Sequence, residues 1–459
     1  MIGKICAVVA LVAVLYSFRD WSPIVQIPSG KIRGEIKDGY VVFKGIPYAE
    51  PPVGKNKIEP PKPFISKWDG VRDGTTFSKY CMQWHEIDEG SGKLRGSEDC
   101  LYLNVYTPSI ESNELYPVMF VIHGGSFMFG NGNEQDPSRI MVSRRTVVVT
   151  INYRLGPLGF LSTGDKELPG NMGLKDQNLA MQWVKKNIHI FKGNPAEIIL
   201  TGFSAGGASV HYHMLSPKSR GLFHVAVSHS GVSFCAWASV KNYSERTKKL
   251  GAHIGCPTDN TKQLRKCLQQ KDAKDIVSAV AILQPFMSNP FTVFGPTVEI
   301  FDGPDAFLTE DVETIIKNGK SAKVPWIIGF VPDEGGYNAA YLLRKESNGK
   351  AIIDSLGEKW PNIAASILFF NSTVPVDTHA KVAQELKRHY LKDEEFSVKC
   401  YRKTQRMFSE QQYLIGIEKA IKLHVAHSDA PVFVYRFNRP LPFGLGKAMA
   451  QRDDVELGE

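Results

Sequence analysis

Ser204 lies in the pentapeptide GFSAG, residues 202–206, which has the pattern G-x-S-x-G. An apolar run at residues 198–201 predicts a strand before it, and residues 208–215 predict a helix after it. In that setting the two glycines permit a tight turn, which holds the serine in a strained conformation with its hydroxyl exposed. The N-terminus of the following helix favours developing negative charge. The pattern therefore predicts that Ser204 is a catalytic nucleophile.

Two glycines stand at the end of another predicted strand, residues 118–122. They are Gly124 and Gly125, which follow His123. Attack of a serine on an acyl carbon creates a tetrahedral oxyanion, which backbone N–H groups can stabilise, and glycine lets the backbone approach closely. We therefore expect Gly124, Gly125 and Ala205 to supply an oxyanion hole.

An acidic pair, Asp333 and Glu334, follows the predicted strand at residues 326–330. It comes later in the chain than Ser204, in an order that some serine hydrolases share. A carboxylate at that place can orient an imidazole and stabilise its charged form. Glu334 is the expected acid. Asp333 is the alternative, and acidic residues are also common in ordinary turns.

The sequence shows no convincing general base for the Ser204 proton. Histidine is the usual base for a serine nucleophile, but no histidine follows His427. His424 and His427 precede the last predicted strand, on or just after a helix, where we expect them to pack or to face solvent. His123 precedes the glycine pair and is also a poor candidate.

The elements that must position these residues alternate between strands and helices. Unbroken apolar runs predict strands that are covered on both faces, and helical spacing predicts helices between them. The predicted strands are residues 101–106, 118–122, 147–151, 198–201, 225–228, 326–330 and 432–437, with helices at 173–193, 208–215 and much of 376–427. An N-terminal hairpin is predicted from residues 24–32, a turn at 37–39 and residues 40–43. This order is typical of an α/β sheet with helices on its faces.

Residues 1–17 have the pattern of a secretory signal peptide. A short basic start precedes an apolar run at residues 5–16, and polar residues follow. That run is shorter than the ~20 residues that span a bilayer, although an uncleaved signal anchor is the alternative. We therefore expect a secreted protein with no membrane span after signal cleavage. Asn242 and Asn371 begin N-x-S/T sequons and are predicted glycosylation sites.

Six cysteines follow the predicted signal peptide, and an oxidising compartment favours disulfides among them. Six cysteines allow about 15 pairings. Short separations favour two of these, Cys81 with Cys100 and Cys256 with Cys267. Each would add ~3 kcal/mol of stability in the loop-entropy description. Cys235 and Cys400 are left over, and neither lies in a CxxC or HxxxH spacing that would indicate a metal site.

The net charge of +8 comes from 55 basic and 47 acidic residues without a long basic run. This balance indicates a solvated, mildly basic surface and argues against a nucleic-acid partner. His211 and His213 are two apart on a predicted helix and share no face, so they do not indicate a metal pair. We expect neither a metal nor an organic cofactor, and the sequence does not indicate the oligomeric state.

Taken together, these motifs resemble the type-B carboxylesterase and cholinesterase family of the α/β-hydrolase fold. The matching segments span nearly the whole chain. They are FKGIPYA at 43–49, PPVG at 51–54, SEDCLYLNV at 97–105, HGG at 123–125, NYR at 152–154, GFL at 159–161, GNMGLKDQ at 170–177 and GFSAG at 202–206. The run from 202 to 217 looks most like insect esterases of this family.

The resemblance implies a signal peptide at 1–17 and one carboxylesterase domain at 18–459, with a mostly parallel sheet, helices on both faces and an N-terminal β-hairpin. It implies hydrolysis of a small carboxylic ester through a serine acyl-enzyme. The resemblance further implies that Ser204 is the nucleophile and Glu334 the acid of the catalytic triad. It also implies that Gly124, Gly125 and Ala205 are the oxyanion donors and that the disulfides are Cys81–Cys100 and Cys256–Cys267.

Two departures from the family pattern affect this expectation. Phe203 stands where cholinesterase-like members have glutamate, which argues against choline esters. The family's histidine lies in a loop beyond the last strand, and no such histidine occurs here, so the resemblance implies that the C-terminal part of the domain is missing. The alternative is a short form that is catalytically impaired, or an esterase-like binding or adhesion protein.

Overall fold

A nine-stranded sheet forms the centre of the fold in the computed structural model, which describes residues 22–84, 94–301, 303–439 and 445–452. The strands of these residues are β1 (Ile24–Ile27), β2 (Gly30–Arg33), β3 (Glu35–Lys37), β4 (Tyr40–Pro47), β5 (Val71–Asp73), β6 (Gln83–Trp84), β7 (Leu94–Arg95), β8 (Tyr102–Thr107), β9 (Tyr116–Ile122), β10 (Val147–Ile151), β11 (Gly193–Phe203), β12 (Val225–His229), β13 (Trp326–Phe330) and β14 (Val432–Arg436).

Helices surround this sheet and fill most of the C-terminal half. The α-helices of the described residues are α1 (Ser138–Met141), α2 (Gly156–Phe160), α3 (Met172–Asn187), α4 (Ala205–Leu215), α5 (Tyr243–His253), α6 (Thr261–Gln270), α7 (Ala273–Ser278), α8 (Val312–Lys317), α9 (Gly336–Tyr341), α10 (Leu356–Ile367), α11 (His379–Leu391), α12 (Tyr401–Ser409), α13 (Ile415–His427) and α14 (Leu445–Ala450). A π-helical turn, Glu410–Leu414, joins α12 to α13.

The strand order of the large sheet is β14-β13-β12-β11-β9-β10-β8-β4-β3. The six strands from β14 to β10 pair in parallel, whereas β8, β4 and β3 add an antiparallel edge. In such a sheet the carboxyl ends of the parallel strands meet at one edge, where ligand sites usually form. The ends of β9, β11, β12 and β13 therefore lie together, in agreement with the predicted α/β-hydrolase fold.

Burial explains why the central segments are strands. All five residues of β10 are buried, as expected for a run of β-branched residues covered on both faces. Helix α4 is likewise buried at every position, and α3 buries one broad face. The short sequence of α4 is rich in Gly, Ala and Ser, which lets this helix pack close to the strands beneath it.

The prediction of the N-terminal hairpin was wrong in its first arm. Strand β3 and not residues 24–32 pairs with β4, around the turn at Asp38 and Gly39. The earlier segment forms a separate hairpin of β1 and β2, which joins β5 in a three-stranded sheet. The chain crosses between the two sheets at Gly34, where a Cβ would lie 2.6 Å from the Val42 carbonyl oxygen. Periodicity alone could not show this crossing.

Two disulfides are present, Cys81–Cys100 with an S–S distance of 2.04 Å and Cys256–Cys267 with one of 2.08 Å. These are the pairings that the sequence separations favour. Cys235 and Cys400 are free and buried.

Within the described ranges no helix is long and apolar enough to cross a membrane. The predicted signal peptide at residues 1–17 lies outside the described residues. The domain boundaries that the sequence suggested remain a prediction.

Candidate active site

Ser204 occupies the turn between β11, which ends at Phe203, and α4, which begins at Ala205. Its φ of 56° and ψ of −123° are strained for a residue with a side chain. The backbone holds this conformation because the Ser204 N–H donates to the His229 carbonyl at 2.7 Å and its carbonyl accepts from Ala208 at 2.9 Å. The hydroxyl is partly buried and has no hydrogen bond to any described residue. Such strain, supported on both sides, is typical of functional positions.

The glycines around this turn are required by close backbone contacts. A Cβ on Gly202 would lie 2.5 Å from the Gly206 backbone, and one on Gly206 would overlap the Ile122 carbonyl oxygen. A Cβ on Gly231 would overlap the Ser204 carbonyl. The turn is therefore pressed between the ends of β9 and β12, and larger residues at these positions would displace the serine.

Gly124 and Gly125 lie beside that turn, as the sequence predicted. A Cβ on Gly124 would lie 2.8 Å from the Phe203 carbonyl oxygen, so the two loops touch. Gly125 has a φ of 107°, and its carbonyl accepts hydrogen bonds from the N–H groups of Met128 and Phe129. Its own N–H has no acceptor among the described residues. The first N–H of α4, on Ala205, also lacks an intrahelical acceptor by its position.

Glu334 is buried beside the same sheet edge, with 8% of its surface exposed. Its Oε1 accepts a hydrogen bond from the Val331 N–H at 3.1 Å, and both this N–H and the nearby Ser230 side chain lower the pKa of the carboxyl. Burial nevertheless raises the pKa of Glu334 to about 7, because neither of these two groups carries a charge. A carboxyl held in this way is suited to a partner that can carry a positive charge.

Asp333, the alternative acid, faces the surface. Its Oδ2 lies 3.2 Å from Nη2 of Arg402 in a partly exposed ion pair. Of the two acids, Glu334 is therefore the buried one without a cationic partner among the described residues.

The histidines considered as bases have other partners. His123 Nδ1 lies 2.7 Å from the Gly124 carbonyl oxygen, its ring stacks on Tyr153 at 4.3 Å, and burial lowers its pKa to about 4. His424 is buried with its Nε2 2.8 Å from Nε2 of His211, and His427 is exposed. None of them has a hydrogen bond to Ser204 or Glu334 in the part of the chain that is described.

Sequence reasoning missed Ser230 and the helical segment that supports the acid loop. Ser230 has a φ of 55° and follows β12 directly, but a serine after a strand is not diagnostic by itself. The Gly335 N–H donates to the Ser409 hydroxyl at 2.9 Å, and the Asn338 amide donates to Gln412 at 2.8 Å. Gln412 lies in the π-helical turn, and turns of this kind are frequent at functional sites.

Comparison with known proteins agrees with this geometry. The carboxylesterase family model matches residues 21–452. Venom carboxylesterase-6 of Apis mellifera is 45% identical over 453 residues, which are 97% of this chain and 80% of that protein. Esterase-5A of Drosophila miranda is 41% identical over 95% of this chain and 79% of its own length. Esterase P of Drosophila melanogaster is 40% identical over 99% of this chain and 84% of its own length.

Proposed function

The chain belongs to the carboxylesterase family and is a carboxylic ester hydrolase, and we propose that it acts through an acyl-enzyme formed on Ser204. The observation that carries this proposal is the strained turn that presents Ser204 at the carboxyl edge of the sheet, with φ at 56°. Its hydroxyl is accessible and its neighbours are the glycine pair and a buried acid. A serine nucleophile, backbone oxyanion donors and a buried acid are three of the groups that nucleophilic acyl transfer uses.

In the proposed first step, the Ser204 oxygen bonds to the ester carbonyl carbon and the carbonyl electrons move to its oxygen. The N–H groups of Gly124, Gly125 and Ala205 stabilise this oxyanion. The serine proton passes to a general base and then to the alcohol oxygen as the ester bond breaks. Water then attacks the acyl-enzyme in the same way and releases the acid. No described histidine has a side-chain hydrogen bond to Ser204, and we assign none of them to the base.

Glu334 is proposed to orient that base and to stabilise it when it is protonated. A cationic partner stabilises a buried carboxylate most when no other charged group is paired with that carboxylate. Asp333 is less suited because Arg402 already neutralises it at 3.2 Å.

We also propose that the protein is secreted. The signal-like residues 1–17 and the two disulfides, Cys81–Cys100 and Cys256–Cys267, support an oxidising compartment. A 45% identical relative is named as a venom protein. The substrate class follows from the family, a small carboxylic ester.

Substitution of Ser204 tests the nucleophile. In the natural enzyme, Ser204→Ala is expected to abolish hydrolysis of p-nitrophenyl esters and labelling by a fluorophosphonate probe, while the thermal unfolding temperature is retained. Ser143→Ala is the matched control, because Ser143 is exposed and bonds only to the Ile140 carbonyl. Retained turnover in Ser204→Ala would show that another residue is the nucleophile.

A second pair of variants tests the acid. Glu334→Gln is expected to lower kcat by about 10⁴, as loss of a triad acid does. The kcat of Asp333→Asn should stay close to that of the unmodified enzyme. The opposite ranking would assign the acid to Asp333.

A further inference from the structure

Two buried histidines form a hydrogen-bonded pair between α4 and α13. His211 lies on α4 and His424 on α13, with 0% and 2% of their surfaces exposed. Their Nε2 atoms are 2.8 Å apart. The Trp326 ring stacks on His211 with 5.0 Å between centroids and 10° between planes, and it also lies 4.8 Å from the His424 ring. The catalytic steps proposed above use neither histidine.

The contacts of His211 with Ser233 assign the tautomers of both rings. The Ser233 N–H donates to Nδ1 of His211 at 3.2 Å, and the Ser233 hydroxyl lies 2.8 Å from the same nitrogen. A backbone N–H can only donate, so Nδ1 of His211 carries no hydrogen and its Nε2 does. That Nε2–H donates to Nε2 of His424. A proton added to this Nε2 would set two N–H groups against each other at 2.8 Å, so the pair requires both rings to be neutral.

Burial favours the neutral pair. It lowers the pKa of His424 to about 4, and it lowers the pKa of His211 well below the ordinary range of histidine. The neighbouring His424 lowers the pKa of His211 further. No other charged group among the described residues shifts the pKa of either ring.

The charged groups on the neighbouring elements are paired elsewhere. Those of α8 and α13 form surface ion pairs, Lys317 and Lys419 with Glu313 and Lys422 with Glu418. The other titratable groups on the packed elements have no hydrogen bond to either ring within the described ranges. They are Tyr212, His213, His229, Cys235 and His427, with exposed Tyr435 and Arg436 on β14. The hydrogen bond of the pair therefore depends on its own protonation.

The segment that follows β12 runs from the nucleophile turn to α13. A Cβ on Gly231 would overlap the Ser204 carbonyl, and a Cβ on Gly416 of α13 would overlap the Phe234 carbonyl oxygen. Ser233, which bonds to His211, lies between these two contacts. The pair therefore ties α4 and α13 to the segment that supports the strained backbone of Ser204.

The helical run that carries His424 also supports the acid loop. The Ser409 hydroxyl accepts from the N–H of Gly335, which directly follows Glu334, at 2.9 Å. Ser409 ends α12, and the chain continues through the π-helical turn into α13. The helix α4 begins at the nucleophile turn and carries His211. The bond between the two histidines therefore links the helix of the nucleophile to the helices that hold the acid.

We propose that His211 and His424 are positioning residues, whose neutral pair keeps the nucleophile turn and the acid loop at the separation that acyl transfer requires. This inference rests on the proposed roles of Ser204 and Glu334. Both rings are buried away from the substrate, and neither gives up a proton during the reaction. A displacement of ~1 Å in the reacting groups can cost about 100-fold in rate, even when the altered residue is far from the chemistry. A proton on the pair breaks its hydrogen bond, so acid should slow catalysis before it unfolds the protein.

Substitution of His424 at pH 8 tests the pair in the natural enzyme. His424→Leu removes the acceptor and should lower kcat for a p-nitrophenyl ester by about tenfold to a hundredfold, with KM changed by less than about threefold. His424→Gln supplies an uncharged acceptor for the His211 N–H and should restore kcat to within about threefold of the unmodified value. His427→Leu is the matched control, because it makes the same change at an exposed position of α13 and should leave kcat unchanged.

The pH dependence of kcat is a second measurement, which does not require His424→Leu to fold. Glutamine at position 424 cannot be protonated in this range. The ratio of kcat in His424→Gln to kcat in the unmodified enzyme should therefore be constant from pH 7 to pH 5 and rise about twofold at pH 4, where half of the His424 rings are protonated. Far-ultraviolet circular dichroism of both proteins should be unchanged over the same range.

Three results would overturn the proposal. One is a kcat in His424→Leu within about twofold of the unmodified value. Another is an equal loss in His424→Gln and His424→Leu, since the hydrogen bond would then not explain the effect. The third is a kcat ratio that stays constant down to pH 4, or that rises only together with loss of the circular dichroism signal, which would leave the pair a role in stability alone. Failure of the proposed nucleophile is distinguishable from all three, because active Ser204→Ala would show it independently.

Discussion

Replacing the buried acid Glu334 by glutamine is expected to stabilise the fold at alkaline pH, although it should remove hydrolysis. The carboxyl is 8% exposed and lies in surroundings that raise its pKa to about 7 from 4.5. The folded state therefore binds the proton more tightly than the unfolded chain does. Ionising the carboxyl inside the fold costs free energy. An uncharged amide of the same shape does not ionise and avoids this cost.

The magnitude follows from that change in pKa. The difference between 4.5 and about 7 corresponds to about 3 kcal/mol at ~1.4 kcal/mol for each pKa unit. For a group with a raised pKa, the stabilising effect is complete below the unfolded pKa and is lost as the pH rises through the folded pKa. Glu334→Gln should thus equal the unmodified chain at pH 4 and exceed it by about 3 kcal/mol at pH 8.

The assay is equilibrium urea unfolding of the 459-residue chain at pH values from 4 to 8, without reducing agent. Asp333→Asn is the matched control, because Asp333 is paired with Arg402 at the surface. The free energy of unfolding of this variant should not rise relative to the unmodified chain between pH 4 and pH 8. The reasoning would be refuted if Glu334→Gln were less stable than the unmodified chain at pH 8, or if their difference did not change with pH. The first result would show a charged partner for Glu334 in the folded chain.

Three further predictions follow from other contacts. Burial lowers the pKa of His424 to about 4, so folding stability should fall as the pH drops from 6.5 towards 4, and His424→Gln should shift acid unfolding, followed by circular dichroism, to lower pH. The double substitution Cys256→Ser with Cys267→Ser should lower the free energy of unfolding by about 3 kcal/mol in urea titrations. Mass spectrometry of the protein expressed in insect cells should find more glycan on Asn371, in a turn with an exposed Ser and Thr, than on Asn242, whose Oδ1 is buried. An unchanged acid unfolding pH in His424→Gln would contradict the first prediction, and an unchanged free energy of unfolding in the cysteine variant the second. Heavier glycosylation at Asn242 than at Asn371 would contradict the third.

The central strands show what local sequence could predict. Strand β13 spans the predicted residues 326–330, and β10 the predicted residues 147–151. Both are short apolar runs in the middle of a sheet, where burial on two faces leaves little alternative to a strand. The family, the α/β fold and the ester-hydrolase activity were likewise predicted from motifs. Motifs are informative because each one occupies a backbone position where few residue types fit.

Element ends were less predictable. Strand β11 begins at Gly193 and not at residue 198, and a register shift between Gly193 and Ile198 marks the irregular part. Helix α4 begins at Ala205 and not at residue 208. The π-helical turn at Glu410–Leu414 is absent from the expectation for residues 376–427. Helical periodicity cannot reveal a turn with one extra residue, because such a turn depends on contacts with another segment of the chain.

The sequence by itself determined that a serine would lie on a tight turn after a central strand, with glycines beside it and an acid later in the chain. Only the tertiary structure shows that Glu334 is buried whereas Asp333 pairs with Arg402, because two adjacent acids have the same local pattern in the sequence. This difference supports our proposal of Glu334 as the acid. The strain at Ser204 likewise depends on the tertiary structure. Its φ of 56° is maintained by backbone hydrogen bonds to His229 and Ala208, and His229 reaches this turn only because the chain folds into the sheet.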